Sequence, residues 1–303
     1  MSSLRKDYAL DRWTIIAVNR GKRPQLIGKK NNICYFCIGN EHLTGKETGR
    51  VQHGKIWDIR SFYNKFPIVD KKKANYKSEK FLVEKNTYGV HEVIVDSNDD
   101  KKQLWDYDES HLLVLLKFFI KRLNEIEKDK KIKHIALFKN HGRNGGASIP
   151  HSHWQLVALN FIPKHIIEEL NANKKCIYCE ILKKESNGKR KCYETKNIVA
   201  FTPFASRYHY EMDILTKKHK KDIKDLNENE LFELSEIILK SLRKLKSIDA
   251  SYSMYFHNSP KDKNLHFHVK IAPRLTIFAG FELETGVIIN SVTPEEAAKF
   301  YRK

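Results

Sequence analysis

Four of the five cysteines fall into two CxxC pairs, Cys34/Cys37 and Cys176/Cys179, and each pair is followed far downstream by a His-x-His triplet, His151-Ser-His153 and His266-Phe-His268. Two thiolates at this spacing joined by imidazole are the donor set of a tetrahedral zinc site. His151 and His266 are the natural further ligands, and a polar turn supplies a fourth: His219 in the second set, Asp100 at the matching place in the first. A carboxylate beside two thiolates is rarer than an imidazole, so the second site is expected to be the tighter. A redox role fits less well, because neither pair opens a helix after a buried strand. Cys192 stands alone, and an odd cysteine count argues against a disulfide framework.

Side chains alternate faces along a strand, so His151, His153 and Gln155 share one surface while Ser152, Trp154 and Leu156 share the other. The second copy puts His266, His268 and Lys270 over Phe267, Val269 and Ile271. A single His-x-His would read as satisfied histidines on a solvated sheet. Its repetition beside two CxxC pairs argues for built sites. Before the first triplet, the loop Asn140-His-Gly-Arg-Asn-Gly-Gly-Ala-Ser148 has the small residues that let backbone approach a phosphate.

The elements that position these groups also come twice. The strand-like stretch from His91 matches that from Tyr210 at an offset of 119 residues, and a helix follows each. The first helix runs from about Asp108 to Lys128, with Leu112, Leu116, Phe119 and Leu123 on its apolar stripe; the second runs from about Asn227 to Lys246, with Leu231, Leu234, Ile238 and Leu242. Next come a strand closing on Asn140 or Asn258, a loop, and the His-x-His strand. The order implies an α+β fold of two tandem domains, each an antiparallel sheet crossed by a long helix. The expected limits are 1–165 and 166–303, bridged by a short helix near Phe161–Leu170.

With 303 residues, 41% hydrophobic and 31% charged, the chain has the apolar content of a folded protein and is not a disordered one. It holds no apolar run long enough for a membrane span and no secretory h-region at its start, so a cytoplasmic protein is expected. The net charge of +19 comes mainly from dispersed lysines. No aromatic-plus-basic recognition motif accompanies them, so a nucleic-acid partner is not expected, whereas anionic small molecules are.

Together, Asn140, Ser148, His151, His153 and Gln155, with Asn64-Lys-Phe-Pro67 and Arg20-Gly-Lys-Arg-Pro24 upstream, resemble the galactose-1-phosphate uridylyltransferase branch of the histidine-triad superfamily. The wording GGASIPHSHWQ and the segment from Ala279 to Ala298 are similar also to its ADP-glucose phosphorylase-like members. The resemblance spans the whole chain and implies two tandem histidine-triad domains. It implies a nucleotidyltransferase that passes a nucleoside monophosphate between a nucleoside-diphosphate hexose and a hexose 1-phosphate or phosphate. His153 would be the nucleophile, Gln155 and Ser148 would hold the α-phosphate, Asn64 and Asn140 the nucleotide, Arg20 and Arg23 the other phosphate, and Glu282 the hexose. Structural zinc and a homodimer are implied as well. Trp154 is bulkier than the residue expected there and should face the core. Lys270 stands where a catalytic copy has Gln, so the second domain is expected to be a scaffold. Two alternatives stay open: a dinucleoside polyphosphate phosphorylase or hydrolase, and a non-catalytic zinc-stabilised nucleotide- or RNA-binding protein.

Overall fold

The structure, a computed structural model, describes residues 2–28, 33–71, 78–172 and 174–303. In chain order the first half contains β1 (Ser3–Lys6), β2 (Trp13–Ile16), β3 (Glu47–His53), β4 (Ile56–Tyr63), β5 (Glu84–Asn86), β6 (Gly89–Val95), α1 (Glu109–Glu127), β7 (His134–His141), β8 (His153–Leu159) and α2 (Lys164–Asn171). The second half contains α3 (Ile177–Glu185), β9 (Lys191–Glu194), β10 (Ile198–Phe201), β11 (Met212–Thr216), α4 (Glu228–Lys246), β12 (Tyr252–His257), β13 (His268–Pro273), α5 (Gly280–Thr285) and α6 (Pro294–Arg302). The fold is α+β: ten strands form one antiparallel sheet in the order β3-β4-β6-β8-β7-β12-β13-β11-β10-β9, and β2-β1-β5 form a smaller one. Among the described residues, no helix is long and apolar enough to cross a membrane.

The two long helices start where their polar caps require. The Asp108 carboxylate accepts from His111 N at the start of α1. At α4, Asn227 accepts from Glu230 N while the Glu230 carboxylate accepts from Asn227 N. Both helices lie on one face of the sheet and pack against each other there, with Arg243 donating to the Tyr107 carbonyl and to Glu109. That face buries Leu137, Trp154, Leu156, Phe256, Val269 and Ile271. Trp154 is fully buried with its ring 4.9 Å from Phe119, so the bulky residue between His153 and Gln155 serves the core. Each such side chain contributes about 1.5–3 kcal/mol of burial. The opposite face carries His153 and Gln155 in the first half and His268 and Lys270 in the second.

The strand register refines the internal repeat. Val93 lies opposite Gln155, and Asp213 lies opposite Lys270. The halves therefore superpose at an offset of 120 in this strand rather than 119, and the counterpart of His91 is Glu211, not Tyr210. A second correction concerns the triplets: β8 begins at His153 and β13 at His268, so His151 and His266 sit just before their strands. There each ring is held by side-chain bonds rather than by the ladder.

β7 and β12 pair from His141 opposite Tyr252 to Leu137 opposite Phe256, fusing the halves into one sheet through its centre. A half expressed alone would expose this strand edge together with the α1 or α4 surface. We expect intact protein to melt in one cooperative transition. Fragments 1–165 and 166–303 produced separately should aggregate or lack a cooperative melt in circular dichroism; two independently melting fragments would contradict the shared-core account.

Candidate active site

His153 opens β8 with only 8% of its surface exposed, and its ring orientation follows from one bond. Nδ1 lies 2.8 Å from the His151 carbonyl. A carbonyl only accepts, so Nδ1 carries the proton and Nε2 keeps its lone pair. Burial pulls the imidazole down to about 4, leaving it neutral. The Phe36 ring packs edge-on 5.2 Å away. Together these fix a neutral ring nitrogen with nucleophilic character.

Beneath this ring lies a buried polar knot. Asp96, at zero exposure, accepts from Tyr107 Oη at 2.9 Å, Lys139 Nζ at 2.9 Å, Ser152 Oγ at 3.0 Å and Trp154 Nε1 at 3.0 Å. Burial alone would raise the Asp96 carboxyl, but the Lys139 ammonium and the neutral donors more than reverse this and hold it below its ordinary value. Burial also works against Lys139 and lowers its pKa, and the Asp96 carboxylate opposes that. With four donors converging on it, Asp96 stays ionised and keeps Lys139 charged. Lys139 Nζ also donates to Ser152 Oγ at 2.6 Å and reaches the His153 carbonyl at 3.4 Å. The knot therefore grips the strand on both sides of His153.

Above the sheet is a cavity of about 280 Å³ lined by His153, Gln155, Ser148, Asn64, Arg20 and Arg23 among others. Gln155 shares the face of His153, as strand alternation requires. Arg20 donates to the Phe66 carbonyl at 3.2 Å and to Gln155 Oε1 at 3.5 Å. Leu26 N donates to the Ser148 carbonyl at 2.7 Å, tying the arginine-bearing segment to the glycine loop. In that loop a Cβ on Gly145 would come 2.1 Å from the His141 carbonyl, and Gly146 has φ +84°, so both positions exclude other residues. Two expected residues lie elsewhere. Asn140 does not line the cavity and sits behind Gly146, 3.7 Å from where a Cβ would be. Glu282 is on the exposed α5, where its carboxylate accepts from Ala279 N.

Three groups could hold a metal among the described residues. In the second half, His266 and His219 lie with Nδ1 3.5 and 3.4 Å from Cys179 Sγ. His266 Nε2 donates to the Thr216 carbonyl at 2.9 Å, and His219 Nε2 lies 3.1 Å from Asn264 Oδ1. Both rings thus turn an unprotonated Nδ1 toward the sulfurs, and with Cys176 the set has two thiol and two imidazole donors, which fits zinc. In the first half, His151 Nε2 donates to the Ser97 carbonyl at 2.8 Å and turns Nδ1 to within 3.3 and 3.6 Å of Cys34 and Cys37. Cys34, Cys37 and His151 thus form a group of two sulfurs and one imidazole that could hold a metal. One expectation is corrected here. Asp100 stays outside the cluster, exposed on its turn, and leaves three donors. The third group, Glu169, His257 and His268, was missed in the sequence because Glu169 comes from α2 and only the fold brings it to the histidines.

Comparison with known proteins places this geometry. The ADP-glucose phosphorylase of Arabidopsis thaliana is 32% identical across 99% of this chain and 92% of its own length. The chain belongs to the galactose-1-phosphate uridylyltransferase branch of the histidine-triad superfamily. The galactose-1-phosphate uridylyltransferase of Thermotoga maritima is 29% identical across 100% of the chain and 98% of its own. A crystal structure of the Arabidopsis ADP-glucose phosphorylase with bound ADP-glucose superposes with a TM-score of 0.79 at 30% identity, covering 100% of this chain and 99% of that one. A family model described as the N-terminal domain of a domain of unknown function (DUF4931) matches residues 63–162, and one described as scavenger mRNA decapping enzyme C-term binding matches 175–276. As a member of the uridylyltransferase branch, the chain is a nucleotidyltransferase of that type.

The uridylyltransferase fold is used unequally in the two halves. In the second, His268 Nδ1 donates to the His266 carbonyl at 2.9 Å, repeating the orientation of His153. Its Nε2, however, is buried without a partner, the Tyr178 ring lies 4.2 Å away, and Glu169 closes over it with Oε2 at 4.0 Å. Two residues that matter in the first half escaped the sequence reading. His91 contacts Gln155, and Lys139 neutralises Asp96. A histidine or lysine interrupting an apolar strand was their available signal. Removing Lys139 strands a buried carboxylate, which costs about 3–5 kcal/mol. We expect Lys139→Met to lower stability by that amount in urea unfolding, and Asp96→Asn added to it to restore a large part. An additive double mutant would refute the coupling.

Proposed function

We propose that His153 Nε2 attacks the α-phosphorus of a nucleoside-diphosphate hexose. The N–P bond forms as the bond from that phosphorus to the bridging oxygen breaks, and hexose 1-phosphate leaves with the bond's electron pair. A second phosphate, on a hexose 1-phosphate or free, then attacks the nucleotidyl-histidine and releases His153. The observation that carries this reading is the bare, neutral Nε2 of His153 at the wall of a cavity shared with two arginines. Gln155 and Ser148 stabilise charge on the phosphoryl oxygens, Asn64 holds the nucleotide, and Arg20 and Arg23 meet the other phosphate. Splitting transfer into two displacements means that two anions never need to align at once. ADP-glucose is the first substrate to test, since the Arabidopsis relative has it bound in its crystal structure.

In this reading 1–165 is the catalytic domain and 166–303 the scaffold. Zinc is held by Cys176, Cys179, His219 and His266, and by Cys34, Cys37 and His151; it would fix the strand starts and take no part in transfer. The free thiols of the second set suit a reducing, cytoplasmic setting. We propose a homodimer, because Glu282 lies off the cavity of its own chain. The exposed Ile277, Phe281, Leu283, Val287 and Ile289 around it suit a second copy.

Incubation with ADP-glucose or a UDP-hexose and no acceptor should add one nucleoside monophosphate to the protein. The adduct should be lost in mild acid, and labelled hexose 1-phosphate should exchange into the nucleotide sugar. His153→Gln should abolish both and His268→Gln should leave them largely intact. Rapid turnover without exchange would remove His153 from its role. For the metal, elemental analysis should give at least one zinc per chain, and a strong chelator should lower the melting temperature. Metal-free protein with unchanged melting would overturn the zinc assignment.

A further inference from the structure

His91 is buried at 3% exposure on β6, and three groups surround its ring. Ile68 N donates to Nδ1 at 3.2 Å. Nε2 lies 3.2 Å from Gln155 Oε1 and 3.1 Å from Asn64 Nδ2. The backbone N–H can only donate, so Nδ1 is the acceptor and the ring proton resides on Nε2. The Nε2–H then finds an acceptor in Gln155 Oε1. Asn64 Nδ2 is itself a donor, because Asn64 Oδ1 is occupied by Phe66 N at 2.8 Å, and it offers this proton nothing. The opposite tautomer would gain Asn64 and forfeit both Ile68 and Gln155 Oε1.

The consequence falls on Gln155. Its amide oxygen takes the His91 proton and the Arg20 guanidinium, so its NH₂ is the end left for a ligand in the cavity. A phosphoryl oxygen needs donors, and a flipped amide would present a carbonyl oxygen to it. Burial, with the Arg20 charge adding to it, holds His91 down to about 3, so the ring stays neutral across the working range. The second half lacks the device: Glu211 replaces His91 and Lys270 replaces Gln155, with Lys270 paired to Asp213 at 3.4 Å. The half that lost the oriented amide is also the half whose histidine is covered.

We propose that His91 is a positioning residue that sets the polarity of the Gln155 amide, turning its NH₂ toward the transferred phosphoryl group. This rests on the reading of Gln155 as a phosphoryl ligand, and the test separates the two. In wild-type protein with ¹⁵N-labelled histidine, the His91 signals, assigned by their loss in His91→Gln, should show a neutral ring protonated at Nε2 from pH 5 to 8. A proton on Nδ1, or an imidazolium, overturns the proposal whatever the substrate. His91→Gln keeps an N–H donor toward Gln155, and His91→Glu, of nearly the same shape and assayed at pH 8 beside the Arg20 guanidinium so that its carboxylate is ionised, offers only acceptors. With ADP-glucose, single-turnover adduct formation should stay within about fivefold of wild type in His91→Gln and fall about 100-fold in His91→Glu, the scale of one lost donor to a developing oxyanion. Equal rates in two variants of equal melting temperature would overturn the proposal. Wild type that forms no adduct with any nucleotide sugar counts against the proposed function, while the tautomer still decides the role of His91.

Discussion

A carboxylate sealed from water must be matched by donors or be lost, and Asp96 is matched by four. Those donors come from β7, from the segment leading into β8, from β8 itself and from Tyr107 just before α1. Satisfying one buried charge therefore brings to a point the elements that carry and flank His153. The backbone follows the same logic: Asp96 N donates to the Ser152 carbonyl, and the next residue, Ser97, accepts from His151 Nε2. Of the possible ways to anchor a histidine strand, this one costs most if half-built, because each donor removed leaves the charge less compensated. Its gain is a fixed geometry around His153.

The two halves show what that geometry requires by keeping some parts and discarding others. Both retain the long helix, the His-x-His start and the Nδ1–H bond from the second histidine to the carbonyl of the first. Only the first has Asp96 with its lysine, an amide at Gln155 and an open cavity over the ring. In the second, the residue pairing position of Asp96 is taken by Thr216, whose carbonyl serves His266 instead. α2 then lays Glu169 against His257 at 2.9 Å. A covered histidine is a good scaffold member for the reason that it is a poor nucleophile: its free nitrogen meets protein rather than solvent or substrate.

How much of this was legible in the residues depends on the range of the interaction. The limits of the two long helices were readable to within a residue, since Asp108 and Asn227 cap by local bonds and the apolar stripes repeat locally, whereas the bridging helix expected from Phe161 starts only at Lys164. The sharing of a face by His153 and Gln155 was readable too, because strand alternation is local. The one-residue slip in the repeat was not, because equivalence between strands is set by cross-strand pairing that identical spacing does not encode. Asp100 misled for a related reason: its position after β6 matched His219 by counting, while the turn leaves it in solvent. Glu169, Lys139 and His91 gain their meaning from partners on other elements, as with Lys139 and Asp96 at a separation of 43, His91 and Gln155 at 64 or Glu169 and His257 at 88.

One device explains why histidines so close in sequence can do unlike work. An imidazole has two nitrogens, and an oxygen placed on one decides the state of the other. At His151, His266 and His219 the oxygen sits on Nε2, so Nδ1 faces sulfur. At His153 and His268 it sits on Nδ1, so Nε2 is bare. The oxygen on His153 is the carbonyl of His151, two residues back. Whatever immobilises His151, whether a metal on its Nδ1 or the Ser97 carbonyl on its Nε2, therefore also fixes the acceptor that orients the His153 ring. An anchored first histidine thus acts on the second through position alone, with no charge passed along the strand, and what the neutral ring gains is a lone pair aimed and held.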